Sequence, residues 1–217
     1  MKPLIVTGTD TGIGKTVVCA MLTLGLDAFY WKPIQSGTAD GTDKERVMTL
    51  TGLPASRFLP ERHILREPLS PHRAAELDGI EIEAGSLTLP AVPEDRFLIV
   101  EGAGGVLVPV NRRTLQIELF ARWHAPAIVV ARTALGTINH TLLTLEALKA
   151  RAIPIQGIVF VGDAMPDTER TIAECGGVKI LGRLPILPAL NASVLRDAFA
   201  AHFNPRDFEP AYLGSNQ

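Results

Sequence analysis

The feature that most restricts how this chain can fold is the stretch "GTDTGIGKT", Gly8 to Thr16, set just after the apolar run "LIV" and just before "VVCAMLTLGL". Gly8, Gly12 and Gly14 allow backbone N–H groups to converge on an anion, and a helix starting near Gly14 adds the positive end of its dipole. Lys15 is then placed to reach β- and γ-phosphates, and the Thr16 hydroxyl to ligate Mg²⁺. The stretch carries one residue more between its outer glycines than the G-x-x-x-x-G-K-[ST] spacing. Two readings are therefore open: a nucleotide site with a longer loop, or a glycine-rich turn containing a solvated lysine. The strand-to-helix context favours the first.

That context recurs along the chain. Apolar, β-branched runs occur at Leu4 to Gly8, Ala28 to Ile34, Arg96 to Gly102, Ala127 to Arg132, Ile155 to Gly162 and Val178 to Leu184. Continuous rather than alternating apolar runs mark strands covered on both faces. Helix candidates fall between them near residues 14–26, 43–52, 114–123, 137–150, 166–175 and 191–202. In the fourth, Ile138, Leu142, Leu145 and Leu148 form one stripe after Thr137 as N-cap. Strand then helix, repeated, implies right-handed crossovers. The expected fold is α/β, a three-layer P-loop NTPase-like arrangement with a mostly parallel central sheet and helices on both faces, in one domain over residues 1–217. Ligands in such sheets bind at the carboxyl ends of strands. Gly8, Pro33, Gly102 and Gly136, each read as lying just past a strand, fall on that rim.

Charge and cysteine usage narrow the function. Twenty-one basic against 23 acidic residues give a net charge of −2, and Lys and Arg do not cluster, so nothing points to nucleic acid or a membrane surface. The expected partner is a small molecule. Cys19 and Cys175 match neither a C-x-x-C nor a metal-ligand spacing and read as two buried small hydrophobes in a reducing compartment. The longest apolar run is too short to span a membrane, and "MKPLIVTG" too short in its apolar part for a signal peptide, so a soluble, cytoplasmic protein is expected.

Two further elements bear on the rim. In "LIVEGAGG" a buried strand delivers Glu101 to the sheet edge, where a carboxylate can hold Mg²⁺ directly or through water. In "YWKPIQSG", Lys32 ends a strand beside a proline and Ser36 follows in a small-residue turn. Lys32 could offset charge on a transferring phosphoryl group or anionic substrate, or could be an edge lysine with its ammonium in water.

Taken together and in order, "GTDTGIGKT", "KPIQSG", "EPLSPH", "VEGAGG" and "LGTINHTLLT" resemble the dethiobiotin synthetases, ATP-dependent enzymes that close the ureido ring in biotin biosynthesis. The resemblance extends to about Leu190, and that family carries the longer phosphate loop. It implies that ATP is held by Thr11, Gly12, Ile13, Gly14, Lys15, Thr16 and Val17, and Mg²⁺ by Thr16, Glu101 and Asp43. Asp40 is the alternative to Asp43, which is preferred because it immediately precedes a helical run. The resemblance implies Lys15 and Lys32 as the catalytic pair, with Lys32, Ser36, Gly102 and Gly104 beside the diamine substrate, 7,8-diaminononanoate, and its CO₂-derived carbamate. It also implies a homodimer in which Gly136, Thr137, Ile138 and Asn139 hold the substrate carboxylate of the neighbouring subunit.

One departure concerns the base. Where the family carries an asparagine after the fifth strand, this chain has Gly162 and Asp163, and these with the "GRLPIL" turn around Pro185 are the candidates for the base pocket. His72 and His140 read as structural hydrogen-bonding residues, and Tyr30, Trp31 and Trp123 as core or interface aromatics. Two rivals stay open: a partner-regulated ATPase switch, whose second loop lysine is missing at Asp10 and Thr11, and a non-catalytic nucleotide-binding module.

Overall fold

The computed structural model of the protein describes residues 1–209. The remainder of the tail, to which the sequence assigns no role, lies outside them. Six strands form the main sheet: β1 (Lys2–Gly8), β2 (Phe29–Trp31), β5 (Phe97–Gly105), β6 (Ala127–Arg132), β7 (Ile155–Val161) and β8 (Ile180–Leu184). They are ordered β2-β5-β1-β6-β7-β8, and every pairing is parallel. A second, two-stranded parallel sheet joins β3 (Ile34–Ser36) to β4 (His63–Leu65). The helices are α1 (Lys15–Gly25), α2 (Asp43–Thr51), α3 (Pro71–Leu77), α4 (Gln116–Trp123), α5 (Thr137–Lys149), α6 (Pro166–Gly176) and α7 (Ala192–His202).

The central strands feed both faces at once, which is why their sequences lack polar alternation. Leu4 and Val6 of β1, Ile99 of β5 and Ile128 and Val130 of β6 pack with Val18, Met21 and Leu22 of α1, Val47 of α2 and Leu195 and Phe199 of α7. Ile5, Leu98, Val100 and Val129 face the opposite way and pack with Ile117 and Phe120 of α4, Leu145 and Leu148 of α5 and Ile172 of α6. The result is the expected three-layer arrangement. None of the described helices is long and apolar enough to cross a membrane.

The structure departs from the sequence expectation where elements are short. "AFYWKPI" is two strands in different sheets, because Pro33 has no N–H to continue the ladder and its carbonyl instead accepts from Arg62 and His63 N–H. The three-residue β4 and seven-residue α3 give too little periodicity to read. Thr137 is the first helical residue of α5, the cap being Gly136 at φ 91°. Strand β5 runs on to Gly105, so Gly102 lies inside it rather than past it. Cys19 is buried as expected, but Cys175 is exposed near the end of α6. The tail opens with a folded segment: Phe208 is fully buried and packs against Phe199 and Phe203.

Helix α1 lies against α7 through Gly25. A Cβ at that position would sit 2.4 Å from the Phe199 ring, so Gly25→Ala overfills the interface and is expected to lower stability by about 1–3 kcal/mol in urea unfolding. Gly85→Ala, where an added Cβ meets nothing within 4 Å, is the near-neutral control.

Candidate active site

The phosphate-loop candidate spans the turn from β1 to α1. Gly12 and Gly14 adopt φ of 69° and 98°, a region closed to most side chains, and Gly14 caps α1 without a side-chain hydrogen bond. First-turn N–H groups of α1 thus face the rim with the positive dipole end behind them. Lys15 folds back, its Nζ donating to the Asp10 carbonyl at 2.7 Å. Burial lowers its pKa, opposed by the nearby Glu101 carboxylate.

Strand register brings the charged groups together. In β2, Tyr30 and Trp31 pair with Ile99 and Val100 of β5, so the chain continues with Lys32 alongside Glu101. Period-2 alternation puts Tyr30 and Lys32 on the face shared by Ile99 and Glu101, the one covered by α1. There Lys32 Nζ donates to Glu101 Oε1 at 3.1 Å and makes a shorter ion pair with Asp43 Oδ2. The Thr16 hydroxyl lies 3.0 Å from Asp43 Oδ1 and 2.9 Å from Glu101 Oε1. Tyr30 donates its hydroxyl to the other oxygen, Glu101 Oε2, at 2.8 Å.

Asp43 reaches this cluster as the first residue of α2, whose start is fixed by a reciprocal capping box between Thr42 and Glu45. The Gln35 side chain adds a brace, accepting from Asp43 N–H at 3.1 Å and donating to the Gly37 carbonyl at 2.8 Å. Burial alone would lower the Lys32 pKa, but Glu101 and Asp43 outweigh it and raise it. Burial likewise opposes the Asp43 charge, yet Lys32 and the Thr16 hydroxyl hold its pKa below the usual carboxylate value.

These groups open into one cavity of about 510 Å³. Of the expected residues, Thr11, Gly12, Gly14, Lys15, Thr16, Val17, Lys32, Ser36, Asp43, Glu101 and Gly104 all line it. Asp40 is exposed and outside it, and Gly102 packs behind it against Gln116 and Phe120. Ile13 is buried beneath the loop. A second groove of about 320 Å³ adjoins the loop, walled by Ile13, Thr133, Gly162, Asp163 and Ile186; Pro185 is not part of that wall, its neighbour Ile186 taking the place. Gly136, Thr137, Ile138 and Asn139 start α5 away from both cavities: Gly136 and Asn139 are exposed and Thr137 is buried. Sequence reasoning missed Tyr30, Gln35 and Arg46 at this site. The period-2 offset of Tyr30 from Lys32 could have exposed the first; Arg46, which lines the cavity one helical turn after Asp43, carries no comparable signal.

The donor set fits a hard divalent cation. The single Thr16 proton cannot serve both carboxylate oxygens within 3.0 Å of it, so one of the two contacts is an oxygen–oxygen approach that a cation would relieve. Thr16, Asp43 and Glu101 offer oxygen alone, which suits Mg²⁺, whose remaining positions usually go to water and phosphate. Among the described residues no group of three or more His, Cys, Asp or Glu side chains forms a separate metal cage.

Comparison with known proteins follows the same lines. A family model described as an AAA domain matches residues 2–194. The ATP-dependent dethiobiotin synthetase BioD of Rhodopseudomonas palustris strain HaA2 is 56% identical over 207 residues, covering 95% of this chain and 96% of that protein. The protein of the same name from Novosphingobium aromaticivorans is 54% identical over 208 residues, covering 96% of this chain and 100% of its own length. Among solved structures, a ParA family ATPase from Chlorobium tepidum superposes with a TM-score of 0.52 at 16% identity, over 94% of this chain and 99% of that one. The septum site-determining protein MinD from Pyrococcus horikoshii gives 0.52 at 11% identity, over 97% and 89%. At such identities these two share the fold alone.

Lys32 and Glu101 are 7% and 1% exposed at their side chains, so Lys32→Met leaves an unpaired buried carboxylate and is expected to cost about 3–5 kcal/mol of stability without Mg²⁺. Added Mg²⁺ should raise the melting temperature of this variant more than that of the wild type. The other partner of Lys32, Asp43, gives the cluster a pH signature. Because the folded pKa of Asp43 is depressed, its stabilisation is present above the ordinary value of 3.8 and is lost as pH falls through the lower folded value. Urea titrations at pH 5 and pH 3 should show a smaller acid loss in Lys32→Met than in wild type.

Proposed function

The chain belongs to the dethiobiotin synthetase family, and on that premise we propose that this cavity carries out ATP-dependent dethiobiotin synthesis by phosphorylating a carbamate of 7,8-diaminononanoate. The enzyme class, an ATP-dependent ligase of biotin biosynthesis acting on small molecules, follows from the family. The observation that carries the finer reading is the convergence of a phosphate loop, two lysines and a Thr–Asp–Glu oxygen cluster in one cavity.

In this reading one amine of the diamine adds to CO₂ and forms a carbamate. A carbamate oxygen attacks the γ-phosphorus, ADP leaves, and the second amine attacks the resulting mixed anhydride at carbon, expelling phosphate and closing the ring. Phosphoryl transfer asks for positioning and charge neutralisation more than covalent help from protein. The loop amides and Lys15 hold the phosphates, Lys15 leaving the Asp10 carbonyl to do so. Lys32 lines the same cavity as the phosphate loop and Ser36, and once freed from its carboxylate partners its ammonium would offset the carbamate's charge and the charge that develops on transfer. Mg²⁺, held by Thr16, Asp43 and Glu101, would neutralise phosphate charge.

The groove walled by Gly162 and Asp163 takes the base in this reading; without the asparagine carboxamide, base selectivity falls to backbone groups and Asp163. The protein acts as a cytoplasmic homodimer, with Gly136 to Asn139 of one subunit completing the substrate site of the other. Two half-exposed leucines, Leu107 and Leu143, line a groove of about 520 Å³ with His140 and support an interface there.

Phosphate release from MgATP should require both the diamine and bicarbonate; release indifferent to either would sink the assignment. With ¹⁸O-labelled bicarbonate, the released phosphate should carry one label, and unlabelled phosphate would exclude the mixed anhydride. Lys15→Ala should reduce kcat on the order of 10²–10³-fold, the scale seen when one preorganised charge-stabilising group is removed.

A further inference from the structure

Glu101 has two oxygens, and the structure treats them differently. Oε1 faces the cavity, within 2.9 Å of the Thr16 hydroxyl and 3.1 Å of Lys32 Nζ. Oε2 is turned back into the sheet, where the Tyr30 hydroxyl donates to it at 2.8 Å. Tyr30 has no accessible surface, and its ring is wedged against Phe58, with centroids 6.2 Å apart. Its aromatic body is therefore fixed by packing, and its hydroxyl is committed to that one oxygen. Strand geometry makes the contact obligatory: Tyr30 pairs with Ile99, two residues before Glu101 on the same face, so a long side chain reaches across diagonally.

We infer that Tyr30 is a positioning residue that locks Glu101 as a one-oxygen ligand and thereby sets the preference of the site for Mg²⁺ over Ca²⁺. Magnesium demands near-octahedral geometry with short bonds to single oxygens, whereas calcium accepts six to eight oxygens and takes carboxylates in two-oxygen fashion. With Oε2 held by a phenol, Glu101 cannot swing to present both oxygens. Ca²⁺ is denied its extra ligand, while Mg²⁺ finds Oε1 already oriented. Partners behind a ligand act in this way, fixing its direction rather than touching the ion. The inference rests on the reading that Glu101 helps to hold the cation.

The test is Tyr30→Phe, which removes one oxygen and keeps the packing. Mn²⁺ binding to the enzyme–ADP complex, followed by electron paramagnetic resonance, reports cation affinity without turnover; competition with Mg²⁺ and Ca²⁺ gives both constants. Mg²⁺ affinity is expected to fall about tenfold, the lower end for loss of such a partner, while Ca²⁺ affinity holds or rises, so the Mg²⁺-to-Ca²⁺ ratio drops at least tenfold. An unchanged ratio overturns the inference, whether the two affinities stay put or fall together as a merely structural loss would make them. Glu101→Gln separates the two readings. If it leaves Mn²⁺ affinity unaltered in an otherwise wild-type chain, Glu101 is no ligand, and the cation site falls along with the role of Tyr30. ADP binding without metal confirms that each variant is folded.

Discussion

A buried lysine caught between two carboxylates is the interaction on which the rest of the site depends. Lys32, the residue after β2, bridges Asp43 of α2 and Glu101 of β5, and Thr16 from α1 closes the set. Four elements meet at a cluster that none could bury alone. An isolated carboxylate as enclosed as Glu101 is costly to keep charged, and the ammonium beside it offsets that cost. The same arrangement is ready for chemistry: a cation entering beside Thr16 would take over the neutralisation of the acids and release Lys32 toward the phosphates. In the proposed reaction, charge balance during phosphoryl transfer would draw on the same four side chains that balance charge in the resting protein.

The sheet explains why those side chains meet. All six main strands run parallel, so their carboxyl ends share one edge; the phosphate loop and Lys32 follow β1 and β2, and Glu101 lies in β5 between them. The two hydrophobic layers above and below hold the strands in register. A slip of one residue in β2 would turn Tyr30 and Lys32 to the face occupied by Trp31 and dismantle the cluster. Packing far from the cavity is therefore part of the site.

Much of this was legible in the chain because it depends on local pattern. Gly12, Gly14, Lys15 and Thr16 announce themselves by spacing, and the long apolar runs reveal strands covered on both sides. What stayed hidden depends on register or on short elements. The hydrogen bond from Tyr30 to Glu101 requires knowing that β2 lies beside β5, which are more than sixty residues apart in sequence. Gln35 became a brace only once Pro33 had split one expected strand into two and carried Ile34 to Ser36 into a separate sheet. The turn around Pro185 meets the groove through Ile186 rather than through the proline itself, a choice that spacing cannot resolve in a loop. Cys175 looked like a core residue by type and proved exposed, because α6 covers the sheet with Ile172 instead.

We propose that a magnesium–triphosphate binds at the cluster around Lys32 and that the lysine exchanges its carboxylate partners for phosphate when it does. A crystal structure with a non-hydrolysable ATP analogue and Mg²⁺ measures this directly. The metal is expected beside Thr16, Asp43 and Glu101, the phosphates over Gly12 to Thr16, and Lys32 turned away from at least one carboxylate. Phosphates lodged in another cavity, with the Lys32 ion pairs intact, would contradict it.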